Sequence, residues 1–132
     1  MPTLLDTHAW LWWVTEDRRL SQRAKETIRA AQSDDDVTLS LISIWEIAKK
    51  IEKRQLVLDR SLDDWLDVAT TMTGLHLVEL TRPILVESCN LPQPFVADPA
   101  DQIIVATAKQ LAATIVTKDR KIRRYPHVRS IW

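Results

Sequence analysis

The sequence predicts an α/β fold of three layers, with a central parallel sheet of about five strands flanked by helices. Three features predict it. Five short apolar runs lie spread along the chain, helical periodicity separates each run from the next, and Ser, Asp and Pro residues mark several helix starts. Strands alternating with helices in this way form a parallel sheet covered on its faces.

Thr3-Leu4-Leu5 is the first strand run, and Asp6 directly follows it. A helix starts near Thr7. On it Trp10 and Trp13 share one side while Trp12 points elsewhere, so the three are not expected to enter one core and at least one should lie near a surface. Ser21 caps the next helix, with Ala24 and Ile28 on its buried side. Asp34-Asp35-Asp36 reads as a solvated turn before the second strand run, Val37-Thr38-Leu39. Ser43-Ile44-Trp45-Glu46 matches the capping box, and Ile47, Ala48 and Ile51 form the stripe buried behind it. Ser61 opens a helix carrying Trp65, Leu66, Val68, Ala69 and Met72, with Gly74 suited to its left-handed C-terminal position. Leu77-Val78 is the third strand run. Leu91-Pro92-Gln93-Pro94-Phe95 reads as a stiff loop, because neither Pro continues a helix. Asp98 caps and Pro99 opens a helix with Ile103, Ile104, Ala108 and Leu111 along it. Thr114-Ile115-Val116 and Val128-Arg129-Ser130-Ile131 supply the last two runs.

The 132 residues are expected to form one domain, since a chain of this length buries roughly 65–70% of its unfolded surface without disulfide or zinc staples. Cys89 has no partner, which excludes a disulfide framework within the chain and a Cys-based zinc site, and makes a reducing, cytoplasmic compartment the expectation. Neither an export signal nor a membrane span is expected, because Met1–Asp6 lacks a basic segment and no run nears the roughly 18 apolar residues that cross a bilayer. The single glycine excludes dinucleotide folds and P-loops, whose backbone must approach phosphates at several glycines. Net charge is zero, from 18 basic and 18 acidic residues, so only local charge can argue for nucleic acid. His8, His76 and His127 are far apart and lack metal-ligand spacing, and are expected to pack or hydrogen-bond.

Four carboxylates stand out from the solvated ones. Asp6 follows the first strand run, Asp119 lies just past the run ending at Val116, Asp101 falls in the first turn of one helix and Glu46 in that of another. In an open α/β sheet, groups just beyond the carboxyl ends of strands converge on one crevice, which is where the strand assignment puts Asp6 and Asp119. Glu46 and Asp101 also have structural readings, as the partner of Ser43 and as an acid favoured by the helix dipole. Asp6 is harder to dismiss, because a carboxylate beside an apolar strand is costly to bury unless paired or metal-bound.

Together these residues resemble a family. Leu4-Leu5-Asp6-Thr7-His8, Ser43-Ile44-Trp45-Glu46-Ile47-Ala48, Asp98-Pro99-Ala100-Asp101-Gln102 with the helix that follows, and Thr117-Lys118-Asp119 are similar, in order and over the whole chain, to PIN-domain ribonucleases of the VapC toxin type. The resemblance implies a PIN-like nuclease domain over residues 1–132, a divalent-metal-dependent endoribonuclease that hydrolyses RNA phosphodiester bonds and inhibits translation. It implies that Asp6, Glu46, Asp101 and Asp119 are the catalytic, metal-binding quartet, with Asp98 a neighbour or helix cap. It also implies a homodimer and a cognate antitoxin whose helix or extended tail fills a groove near the site. Gln102 departs from the pattern, standing where many relatives carry Arg.

The residue types agree with that chemistry. An acidic pocket without His or Cys suits hard cations such as Mg²⁺ or Mn²⁺, which take oxygen ligands. Thr7 and Thr117, beside two of the acids, are candidates to orient ligands by hydroxyl hydrogen bonds. Lys118, Arg120, Lys121, Arg123, Arg124 and Arg129 crowd the C-terminal segment and are candidates to contact RNA phosphates, with Lys49, Lys50, Lys53 and Arg54 a second basic stretch. Two alternatives remain at this level. A receiver-like signalling module shares the length, the alternation, an acid after the first strand and Lys118, but needs an acid ending the central strand, and Glu79 reads as lying inside the third strand run. A catalytically inactive PIN-like scaffold is the other, and the intact quartet argues against it.

Overall fold

The computed structural model describes residues 1–93 and 95–132, so Pro94 of the proline-rich loop lies outside the described residues. Five strands, β1 (Thr3–Leu5), β2 (Val37–Ser40), β3 (Leu75–Val78), β4 (Thr114–Val116) and β5 (Arg129–Ile131), form one parallel sheet in the order β3-β2-β1-β4-β5. The helices are α1 (Thr7–Val14), α2 (Gln22–Ser33), α3 (Ile42–Glu52), α4 (Leu62–Ala69), α5 (Arg82–Ser88), α6 (Pro99–Leu111) and α7 (Arg120–Arg124).

Side chains alternate across a strand, and here both faces are apolar, as a parallel sheet covered by helices requires. Leu4 and Ile115 enter one core with Ile104, Val105 and Ile122, whereas Leu5 and Val116 enter the other with Trp10, Ile28, Ile47 and Trp65. The sequence builds β1, β2 and β3 outward and then returns to the opposite side of β1 for β4 and β5. This reversal leaves a crevice at the carboxyl ends of β1 and β4. Receiver-like domains use the order 2-1-3-4-5 instead. Glu79 falls just past β3 rather than inside it, but β3 is an edge strand and not the central one, so the receiver-like reading loses its support.

Several helix starts match the sequence. Ser21, Ser61 and Asp98 accept from the N–H groups of Ala24, Asp64 and Asp101 at 3.0, 3.2 and 2.9 Å. The capping box does not form. Leu41 is the N-cap of α3 and Ser43 lies inside the helix, while Ser40 Oγ accepts from the N–H of Ile42 at 3.2 Å. Ser43 and Glu46 instead face α1, as described below. Gly74 has φ +76°, but α4 ends at Ala69, so both Gly74 and Met72 lie beyond it in the turn leading to β3. A Cβ on Gly74 would sit 2.9 Å from the Gln32 carbonyl oxygen, so close approach to α2 joins the backbone angle in requiring glycine.

Of the tryptophans of α1, Trp13 is only partly buried and lies near the surface, as expected of at least one of the three, whereas Trp10 is fully buried and Trp12, 7% exposed, joins its core against expectation. Trp10 packs edge-on against Trp65 and donates its Nε1–H to the Ala69 carbonyl at 2.9 Å. Trp12 enters the same core because Trp132 packs against its ring and Arg19 and Lys118 lie over it, 4.8 and 5.9 Å from its centroid. The exposed tryptophan is Trp45, at 53%. Among the described residues, no helix is long and apolar enough to cross a membrane.

Candidate active site

Asp6 sits where β1 becomes α1 and caps that helix. Its Oδ1 accepts from the Ala9 N–H at 2.8 Å, and its Oδ2 accepts from the Thr117 hydroxyl, which comes from the end of β4. An Asp directly before the first helix is the sequence signal for this cap. Thr117 is fully buried, and its oxygen also accepts from the Asp119 N–H at 3.0 Å. Asp119 in turn caps α7 by accepting from the Lys121 N–H at 2.8 Å. One hydroxyl therefore joins the carboxylate after β1 to the loop after β4. Burial raises the Asp6 carboxyl to about 6; the Thr117 and Ala9 hydrogen bonds oppose that shift, and the charges of Asp119 and Glu46 add to it.

Glu46 reaches the crevice from α3. Its Oε1 accepts from the Thr7 hydroxyl at 2.5 Å, and Thr7 Oγ1 and Ser43 Oγ are hydrogen-bonded at 2.9 Å. Since Thr7 has one hydroxyl proton and the carboxylate takes it, Ser43 donates to Thr7. This chain ties α3 to α1 and explains why Ser43 and Glu46 do not cap their own helix. Burial pushes the Glu46 carboxyl up, Thr7 and Lys50 counter it, and Asp98 adds to it.

Asp101, in the first turn of α6, has the least support. Among the described residues no group donates a hydrogen bond to its carboxylate, and burial followed by the charges of Asp98, Glu46, Asp119 and Asp6 raises it to about 7. Asp98 both caps α6 and joins the cluster, for Glu46, Asp98 and Asp101 each place a carboxylate oxygen within 4.8 Å of the others. Of the four acids singled out in the sequence, Glu46 and Asp101 come together at ligand distance, with Asp98 as their third member; Asp6 and Asp119 stand outside that group and act on it through their charges.

This donor set fits a hard divalent cation. All its ligand atoms are oxygens, and two oxygens on opposite sides of Mg²⁺ are separated by about 4.2 Å, so a few tenths of an ångström of side-chain adjustment suffices. Crowded carboxylates with raised pKa values are relieved by a bound cation, which reverses the local charge.

The cations divide. Lys118 is exposed beside Asp119, and Arg120 and Lys121 are exposed in the first turn of α7. Arg123 and Arg124 lie at the far end of α7, and Arg129 opens β5 at the opposite end of the sheet from Asp6. Lys49 is ion-paired with Glu52 at 2.8 Å, while Lys50 faces Glu46 closely enough to oppose its shift. His76 and His127 hydrogen-bond to Asp35 and Gln93, and His8 packs against Trp12.

The model of the PIN domain matches residues 3–128. Ribonuclease VapC22 of Mycobacterium tuberculosis (strain ATCC 25618 / H37Rv) is 34% identical over 128 residues, spanning 97% of this chain and 95% of that protein. Among solved structures, VapBC2 from Rickettsia felis bound to a promoter DNA fragment matches with a TM-score of 0.75 at 15% identity, covering 99% of this chain and 98% of that one. A toxin–antitoxin complex from Klebsiella pneumoniae matches with a TM-score of 0.65 at 21% identity, covering 96% and 94%. These two likenesses concern the fold. With the matched domain and the sequence identity, they lead to one assignment: the chain belongs to the PIN-domain family, in its VapC-type group.

Proposed function

We propose that residues 1–132 act as a divalent-metal-dependent endoribonuclease that hydrolyses RNA phosphodiester bonds, the toxin of a toxin–antitoxin pair that inhibits translation. The observation that carries this reading is the cluster of Glu46, Asp98 and Asp101, whose carboxylate oxygens lie within 4.8 Å of one another, with Asp6 and Asp119 near enough to raise Asp101 by their charges. RNA as substrate is supported by the name of the mycobacterial relative.

In this reading Asp6, Glu46, Asp101 and Asp119 would hold Mg²⁺ or Mn²⁺, with Asp98, which lies at ligand distance from Glu46 and Asp101, available to join them. Such an ion supplies charge compensation to a phosphodiester and lowers the pKa of an attacking water. The chain's own groups prepare the site. Ala9 N–H and Thr117 fix the two oxygens of Asp6, Thr7 fixes Glu46, and each bond leaves the carboxylate less freedom to turn away. Lys118, Arg120 and Lys121 attract the RNA backbone across a crevice that would otherwise repel it.

An antitoxin partner is supported by the toxin–antitoxin assemblies among the structural neighbours. A groove of about 550 Å³, lined by apolar residues such as Leu11, Trp12, Trp65 and Val68 and by the charged Asp17, Arg19, Asp59 and Arg60, offers a mixed surface for a partner helix or tail. The proposal includes a homodimer, for which the exposed Leu85 and Val86 of α5 offer apolar surface, and a cytoplasmic location.

The test is RNA cleavage by purified protein with Mg²⁺ or Mn²⁺, repeated with chelator. Cleavage that requires the ion and stops with chelator is expected. Ion binding without cleavage would favour the inactive scaffold, and cleavage indifferent to chelator would remove the metal from the mechanism.

A further inference from the structure

The crossover between β4 and β5 must carry the chain from the carboxyl end of a parallel sheet back to its amino end. Along this path α7 leads Arg123 and Arg124 away from Asp119, toward Arg129 at the start of β5. There the three arginines line one groove of about 450 Å³ that also presents Thr114 and Ser130. A second groove, of about 310 Å³, shares Arg129, Pro126 and Val128 and adds Lys109 and His127. No carboxylate lines either groove. Among the described residues, none of the three arginines is ion-paired. The Asp34–Asp36 turn lies at the same end of the sheet but precedes β2, across β1 from β4.

Single exposed arginines are ordinary solvated surface. Three that meet in one concavity with no counter-charge repel one another, and an anion entering the groove relieves that repulsion. Guanidinium forks match phosphate oxygens in pairs, and the Ser130 hydroxyl is a further donor. Pro126 and Val128 supply apolar wall for a ribose or base. From Asp119 to Arg123 and Arg124 the helix advances about 6–8 Å. The groove is therefore displaced from the acids, and the exposed Lys118, Arg120 and Lys121 lie between the two along the chain.

We propose that the groove lined by Arg123, Arg124 and Arg129 binds the phosphate backbone of single-stranded RNA at a second point, beyond the linkage held at the acid cluster. This rests on the nuclease reading above. It makes binding depend on substrate length, because a fragment that fills only the acid crevice does not reach Arg129.

The test measures fluorescence anisotropy of labelled 3-nucleotide and 12-nucleotide RNAs in Ca²⁺ at several salt concentrations, for the wild type, Arg129→Gln, and Arg123→Gln with Arg124→Gln. Thermal unfolding checks that each variant is folded. The wild type is expected to prefer the longer RNA. Arg129→Gln should weaken the longer RNA about tenfold. Its slope of log affinity against log salt should become shallower by about 0.7 per lost phosphate contact. Equal loss for both lengths, or an unchanged slope, would overturn the second binding point. Tighter binding of a 12-base-pair DNA duplex, lost in the same variants, would overturn the assignment to RNA. In a parallel Mg²⁺ and Mn²⁺ assay, wild-type cleavage beside unaltered variant binding removes the groove alone, whereas absence of wild-type cleavage removes the nuclease reading beneath it.

Discussion

Asp6 and Asp101 are held in the same crevice by opposite means. Both are driven upward first by burial, but Asp6 accepts from Ala9 and Thr117 and reaches about 6, while Asp101 has like charges around it and reaches about 7. One side of the site is ordered by hydrogen bonds, and the α6 side by the placement of a helix. A carboxylate with fixed donors is ready for a cation; one surrounded by repulsion gains most when the cation arrives.

The largest expected effect tests what the two acids share. Asp6→Asn and Asp101→Asn should each reduce metal-dependent RNA cleavage by about 10³-fold or more, beyond the 10–100-fold typical of a group that only orients a ligand. Stability should separate them. Without metal, Asp101→Asn should raise the unfolding temperature, on the order of 5 °C, by removing one member of a repelling set. Asp6→Asn should not, since the neutral side chain gives up the charged acceptor of Thr117. Equal stability changes would erase the comparison.

Replacing Thr117 by Val keeps the shape and removes the donor to Asp6. Metal affinity, measured by calorimetry, should fall about 10–100-fold. The Asp6 carboxyl should rise further, observable by carboxyl titration in NMR spectra.

The pH dependence follows from the same shifts. Both acids have folded-state pKa values above the ordinary value of 3.8, so the folded protein holds more protons than the unfolded chain between about 4 and 7. Stability of the metal-free protein from these groups is therefore highest below about 4 and declines as pH rises through about 6 and then 7. Thermal melts across this window should show the decline, and saturating Mg²⁺ should flatten it. A decline that persists in Asp101→Asn with Asp6→Asn would assign it to other groups.

The smallest effect concerns Asp98. Asn caps a helix about as well as Asp, so Asp98→Asn should leave the stability within about 0.5 kcal/mol of wild type. It should lower the Asp101 pKa and weaken metal binding by less than about tenfold, as expected for one charge of several. Unchanged metal affinity would leave Asp98 as a cap only.

What the sequence disclosed was local. Ser21, Ser61 and Asp98 announced helices because a cap acts within three residues, and Asp6 was visible as an acid beside an apolar strand. What it withheld depended on distant partners. Ser43 and Glu46 have the spacing of a capping box, but the Thr7 hydroxyl, 36 residues before Ser43, redirects both. The C-terminal cations read as one patch, and only the direction of the β4-to-β5 crossover divides them. Trp12 was ambiguous for the same reason, since its cover is Trp132.

The hydroxyl bond between Thr117 and Asp6 spans 111 residues of sequence. During synthesis, at about 5–20 residues per second, β1 and the residues that become one half of the crevice emerge long before their counterparts. Until β4 is made, one side of β1 is an open edge and Asp6 lacks both its hydroxyl donor and Asp119. Contacts of such long separation also form slowly. A nascent chain therefore carries no complete set of acids until it has been made through Asp119, and a product truncated before Thr117 lacks both Asp119 and the hydroxyl that holds Asp6.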